Sequence, residues 1–162
     1  MKQGFVKVAS ATPRIRVADP VYNAQVICEQ AKEAAEHGAK IVVFPELCIT
    51  GYTCNDLFLQ ELLLEKAKEA LLTIAEETGQ LETLFLVGLP VDKDGRLYNV
   101  AAVLYRGRIL GMIPKKNIPM YAEFYEGRHF TPGEETVTEY RLGKQVIPFG
   151  SNLLFRCEEL PE

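Results

Sequence analysis

Two groups in this chain are placed for acid–base chemistry: a carboxylate and an ammonium, each following an apolar run and a proline. Phe44-Pro45-Glu46 closes the run that begins at Ile41, and Ile113-Pro114-Lys115 closes a second. An ionised carboxylate is costly in an apolar interior, which puts Glu46 at the rim of a sheet, where strand ends open toward ligands. There it could act as a general base, tuned by burial or by a nearby cation. It could equally cap a loop or pair with a surface lysine. Lys115 could be the cationic partner of a carboxylate or a thiolate, or a solvated lysine like most others.

Other reactive side chains are few. There are two histidines, His37 and His129, too little material for a histidine-based triad or a His-rich metal site. The four cysteines, Cys28, Cys48, Cys54 and Cys157, show no C-x-x-C pair. Neither a disulfide framework nor a metal site is expected, and a reducing cytoplasm is the default compartment. Cys48 and Cys54 lie so near Glu46 in sequence that they have no evident way to face it across a pocket. They read as small buried thiols. Cys28 falls on the apolar face of a helix and reads as core.

The elements that must position Glu46 and Lys115 follow from the pattern. Residues 5–11 predict a first strand. Asp19-Pro20 predicts a helix start, with Val21, Ala24, Cys28, Ala31 and Ala35 on one face and Gly38 at its C-terminal cap. Residues 39–44 predict a second strand, apolar enough to be covered on both faces. Asn55-Asp56 can cap a helix over residues 57–78, rich in Leu, Glu, Lys and Ala, ended by Gly79. Residues 84–90 predict a third buried strand, in which Gly88 reads as a lone strand glycine of little meaning. Asp94-Gly95 signals a turn. Residues 99–105 and 109–113 predict a hairpin around Arg106-Gly107-Arg108. The order is that of an α/β fold whose sheet begins mostly parallel and continues antiparallel. Residues 115–135 form a long aperiodic stretch with Tyr121, Phe124, Tyr125 and Phe130. A loop of that length is functional or disordered, and its aromatics favour function.

Bulk properties exclude other classes. The 162 residues suggest one domain or part of one. The 48% hydrophobic and 25% charged content is that of a globular protein, and the net charge of −4 gives no basic face for nucleic acid. The apolar runs are shorter than the ~18 residues of a membrane span, and the first residues do not read as a signal peptide. Neither a P-loop nor a G-x-G-x-x-G motif occurs.

Taken together, the stretches PELCITGYTCNDLF (residues 45–58) and KKNIPMYAEFYE (residues 115–126) resemble the nitrilase, or carbon–nitrogen hydrolase, superfamily. More finely, they resemble its branch formed by the N-terminal glutaminase domain of glutamine-dependent NAD synthetases. The resemblance covers essentially the whole chain. It implies a four-layer α-β-β-α sandwich and a Glu–Lys–Cys triad that cleaves amides through a thioester. Glu46 would be the general base, Lys115 the oxyanion partner and Glu126 the supporting second glutamate. Tyr52, Tyr121 and Phe124 would line a glutamine pocket, or else pack as ordinary aromatics under a loop. The domain itself would need no cofactor. A synthetase domain using ATP and Mg would take the ammonia to amidate deamido-NAD, and homo-oligomers are implied.

The chain departs from that family at the nucleophile. Cys157-Glu158-Glu159 imitates the family's Cys-Glu-Asp, but no glycine precedes it and the final acid is not Asp. Cys157 is therefore expected to be a strand residue, with the nucleophile beyond Glu162. On this reading residues 1–162 are the N-terminal part of a glutaminase domain, an incomplete sandwich, inactive alone. The alternatives are a stand-alone amidase or carbamoylase of the same superfamily and a catalytically dead assembly module.

Overall fold

A computed structural model describes residues 5–157. The elements, in order, are β1 (Val8–Ser10), α1 (Pro20–Glu36), β2 (Ile41–Val43), α2 (Glu61–Glu77), β3 (Leu84–Lys93), β4 (Arg96–Tyr105), β5 (Arg108–Pro114), β6 (Thr138–Leu142) and β7 (Gln145–Phe149). Short 3₁₀ turns cover Asn55–Leu59 and Glu126–Arg128. The strands form one seven-stranded sheet in the order β1-β2-β3-β4-β5-β7-β6. β1, β2 and β3 are parallel, β3 to β5 antiparallel, and β6 and β7 form a hairpin whose β7 runs parallel to β5.

Local chemistry accounts for most boundaries. The Asp19 carboxylate accepts the Tyr22 N–H at 3.1 Å and Pro20 takes the first turn of α1, where a missing N–H costs nothing. Gly38, at φ +81°, ends the helix. The tight hairpin turns at Asp94-Gly95 and Arg106-Gly107 have positive φ at both residues, the geometry that matches strand twist.

Ile27, Ala31, Ala67, Leu71 and Ile74 of the helices pack with Val42, Phe85 and Val87 of the strands in one buried cluster. α1 and α2 thus cover one face of the parallel end of the sheet. A second, smaller cluster of Leu47, Cys54, Phe58, Leu63 and Phe130 lies beneath the loops that follow β2 and β5. Its central contact is Phe58 against Phe130, edge to face at 5.0 Å.

Several expectations are corrected. The helix predicted over residues 57–78 is two elements: a 3₁₀ turn, then α2, separated by Gln60 in an extended conformation at φ −88°, ψ 120°. Asn55 is no helix cap but sits at φ +49°. The second strand is not covered on both faces, since Val43 is 44% exposed and Val8 of β1, which pairs with Ile41, 63%. Cys157 is in no strand; it is exposed and irregular. Gly88 is far from incidental. A Cβ at Gly88 would stand 2.7 Å from the Pro45 carbonyl oxygen and 3.0 Å from the Glu46 carbonyl carbon. The loop carrying Glu46 lies directly on β3, and only a residue without a side chain allows that approach.

Candidate active site

Glu46 leaves the end of β2 on a tight turn pinned to its neighbours. Leu47 is fully buried at φ +52°, a conformation a leucine holds only when its surroundings impose it. Ile49 N–H donates to the Gly88 carbonyl at 3.1 Å, and Gly51 N–H to Leu47 O at 2.7 Å. From behind, the buried amide of Asn23 donates to Ile49 O at 2.9 Å and to Arg16 O at 2.7 Å.

Lys115 follows β5 and is fixed through its backbone. Its N–H donates to Asn99 O at 2.7 Å, and its carbonyl accepts from Gly133 N–H at 2.8 Å. That second bond joins the two ends of the long loop. The loop is tied down again where Arg128 and His129 each meet Asp56 at 3.1 Å. It is therefore an ordered platform, as its aromatic content suggested.

These loops bring Glu46, Lys115, Glu126 and Tyr52 into one network. Lys115 Nζ donates to Glu46 Oε1 at 2.7 Å and to both Glu126 oxygens at 2.9 Å. The Tyr52 hydroxyl donates to Glu126 Oε1 at 2.7 Å. Burial is graded across the three charges. The side chain of Glu126 is 5% exposed, that of Lys115 29% and that of Glu46 39%. The expensive buried carboxylate is thus Glu126, and it is compensated as such a group must be, by a cation and a hydroxyl. Glu46 sits at the rim, open to a substrate.

The electrostatics follow. Partial burial is the largest single influence on Lys115 and disfavours its charge, but bonds to Glu46 and Glu126 outweigh it, and the lysine is held above its ordinary value. It is a permanent cation at neutral pH. Tyr52 is raised as well, first by burial and then by its bond to Glu126, so it acts as a neutral donor.

The buried cysteines are chemically quiet. Burial pushes Cys48 up to about 12 and Cys28 to about 11, and raises Cys54 too. Their thiols face away from the network; Cys48 reaches Gly88 O at 3.6 Å and Cys54 reaches Thr50 O at 3.1 Å. Among the described residues no cysteine bonds to Glu46, Lys115 or Glu126.

Tyr121 and Phe124 meet edge to face, 5.5 Å between centroids, on the loop that carries Glu126. Tyr121 is 69% exposed. Sequence reasoning missed two residues at the site: Gly88 beneath the Glu46 turn, and Asn99, whose buried amide donates to Glu46 Oε1. The second had a signal, since a lone amide inside an apolar strand must find a partner.

A carboxylate at a sheet rim is bridged by a lysine to a buried second carboxylate, an arrangement that can pair a proton acceptor with a fixed cation. The carbon–nitrogen hydrolase family matches residues 7–152, and the chain belongs to it. Within the family it is similar to glutamine-dependent NAD(+) synthetases. It is 39% identical to that of Mycobacterium tuberculosis over 160 residues, 99% of this chain and 24% of the relative. The Thermotoga maritima protein is 36% identical over 135 residues, 83% of this chain and 23% of the relative. This chain thus spans about a quarter of the length of the curated relatives it matches. The crystal structure of the Cytophaga hutchinsonii glutamine-dependent NAD(+) synthetase superposes with a TM-score of 0.88 at 28% identity, covering 95% of this chain and 26% of that one. An amidase from Nesterenkonia sp. AN1, in a mutant form complexed with butyramide, shares the fold: TM-score 0.66, 24% identity, 88% of this chain and 54% of that one.

Proposed function

We propose that this chain is the N-terminal part of a glutaminase domain that releases ammonia from glutamine for a synthetase. The observation that carries the proposal is the Glu46–Lys115–Glu126 bridge, with the base exposed and its support buried. Glu46 takes the proton of a cysteine thiol supplied by residues outside the network described above. The thiolate attacks the amide carbon of glutamine, a C–S bond forms, and negative charge develops on oxygen beside the Lys115 ammonium. Charge-assisted donation to a developing oxyanion is a large catalytic contribution. As the C–N bond breaks, Glu46 returns its proton to the departing ammonia. It then accepts a proton from water as that water attacks the thioester. The C–S bond breaks to release glutamate, and the proton returns from Glu46 to the departing sulfur. Tyr121 and Phe124, with Tyr52, are assigned to the wall of the glutamine pocket.

The reading places ATP and Mg in the synthetase portion, outside this chain, and gives the glutaminase part no cofactor. It includes a cytoplasmic location, supported by three buried free thiols, and assembly as a homo-oligomer, supported by the apolar side chains of Val8 and Val43 left exposed on the sheet. Among the described residues no helix is long and apolar enough to cross a membrane. A stand-alone amidase fits less well, because the relatives that are 37–39% identical over nearly the whole of this chain are glutamine-dependent NAD(+) synthetases.

The test is made in the protein that carries this chain. Glu46→Gln and Lys115→Met should each lower ammonia release from glutamine by about 100-fold or more, while added ammonia still supports synthesis of NAD. Glutamine hydrolysis near the wild-type rate in both variants would overturn the proposal.

A further inference from the structure

We propose that Asn99 is a positioning residue that holds the base Glu46 and designates Oε2 as the oxygen that exchanges the proton. The inference rests on the glutaminase reading above. Asn99 lies in β4, buried, opposite Pro90 of β3. Its side-chain amide donates to Glu46 Oε1, and its backbone carbonyl accepts from Lys115 N–H at 2.7 Å. One residue of a rigid strand therefore grips the base through its side chain and the oxyanion partner through its main chain.

The choice of oxygen follows from the donors. Oε1 of Glu46 receives both the Asn99 amide and the Lys115 ammonium. Oε2 receives no hydrogen bond among the described residues. Its lone pairs are the ones free to take a proton.

The arrangement also solves a problem in the reaction. Lys115 must serve a growing oxyanion and, in doing so, weakens its hold on Glu46. A lysine side chain is flexible, with rotatable donors, so alone it would release the base at the moment the base must return its proton. Asn99 is neutral and short, and its strand is paired on both sides, to β3 and β5. It keeps Glu46 oriented through both half-reactions and brings no net charge to the site. An amide suits the position because a carboxylate there would face Glu46 as a like charge, and an apolar residue would leave Oε1 to the lysine alone.

The experiment compares Asn99→Leu and Asn99→Asp, both with the branched heavy-atom skeleton of asparagine, in the protein that carries this chain. Both keep the backbone bond to Lys115. The expected result is a kcat for ammonia release lowered about 10- to 100-fold, with KM within about threefold and at least as deep a loss for Asn99→Asp as for Asn99→Leu. A purely structural role would lower thermal stability without this kcat-selective loss. In a sample labelled with ¹⁵N-asparagine, one side-chain amide proton of Asn99 should be shifted downfield by its carboxylate partner and move upfield in Glu46→Gln. A kcat for Asn99→Leu within about twofold of wild type, or an amide proton indifferent to Glu46→Gln, overturns the inference. Failure of the glutaminase reading looks different: Glu46→Gln and Lys115→Met would then themselves retain hydrolysis.

Discussion

Glu126 carries the largest electrostatic debt at the site, and Tyr52 is part of how it is settled. The glutamate is nearly inaccessible, and its oxygens are saturated by Lys115 at 2.9 Å and by the Tyr52 hydroxyl at 2.7 Å. Removing one donor leaves a buried carboxylate short of a partner. Tyr52→Phe should therefore cost about 1.5 kcal/mol of stability, the low end of the range for a bond to a charged group because Tyr52 is partly exposed. It should also loosen Lys115, which shares Glu126, and lower kcat by about tenfold. A pocket-wall role alone would instead raise KM at unchanged kcat. Steady-state kinetics of Tyr52→Phe with glutamine separate the two. That Glu46, Lys115 and Glu126 belong together came from the family resemblance of residues 45–58 and 115–126, since Glu46 and Lys115 taken singly could as well have been a loop cap and a solvated lysine. Asn99 was not legible, because its importance is a tertiary fact: the amide matters only once β4 has been laid beside the turn after β2.

At the scale of elements, the site depends on how closely that turn approaches β3. Gly88 supplies the approach, and its carbonyl also receives Ile49 N–H. Gly88→Ala would drive a methyl into the backbone of Pro45 and Glu46, neither of which is a flexible side-chain end. The cost should be at the top of the overpacking range, about 3 kcal/mol, and should be read from urea unfolding. Whatever folded protein remains should have a displaced Glu46 and little hydrolysis. A variant with wild-type stability would show that the turn has room the structure does not display. A glycine inside a strand warns of a close backbone approach, but the sequence does not say what approaches. Elements with local causes were readable: α1 from Asp19-Pro20, the two hairpins from Asp94-Gly95 and Arg106-Gly107. The break at Gln60 was not, since residues 57–78 have uniformly good helix propensity. The 3₁₀ turn ahead of α2 is held by packing of Phe58 against Phe130, a contact more than seventy residues away in sequence that propensity cannot register.

At the scale of the whole molecule, α1 and α2 bury thiols that ionise in the unfolded chain but resist ionising in the folded one, and this sets an alkaline limit. An unfolded cysteine titrates at 9.0, whereas Cys28 keeps its proton to about 11 and Cys48 to about 12, burial being the chief cause for both. Between those values the folded state binds more protons than the unfolded state, so stability falls as pH rises. The slope is on the order of 1 kcal/mol per pH unit for each thiol. Lys115 adds to the same trend later. Its value is raised above 10.5 by the two glutamates against the opposing effect of burial. Its contribution is therefore fully present below 10.5 and is lost as pH climbs through the raised value. Urea unfolding followed from neutral to strongly alkaline pH should accordingly show stability declining from about pH 9. The double variant Cys28→Ala, Cys48→Ala should start from a lower stability, because two buried side chains are truncated, yet have a shallower slope between 9.0 and 10.5, the window its thiols no longer occupy. An equal slope in both proteins would mean that the buried thiols do not govern alkaline unfolding.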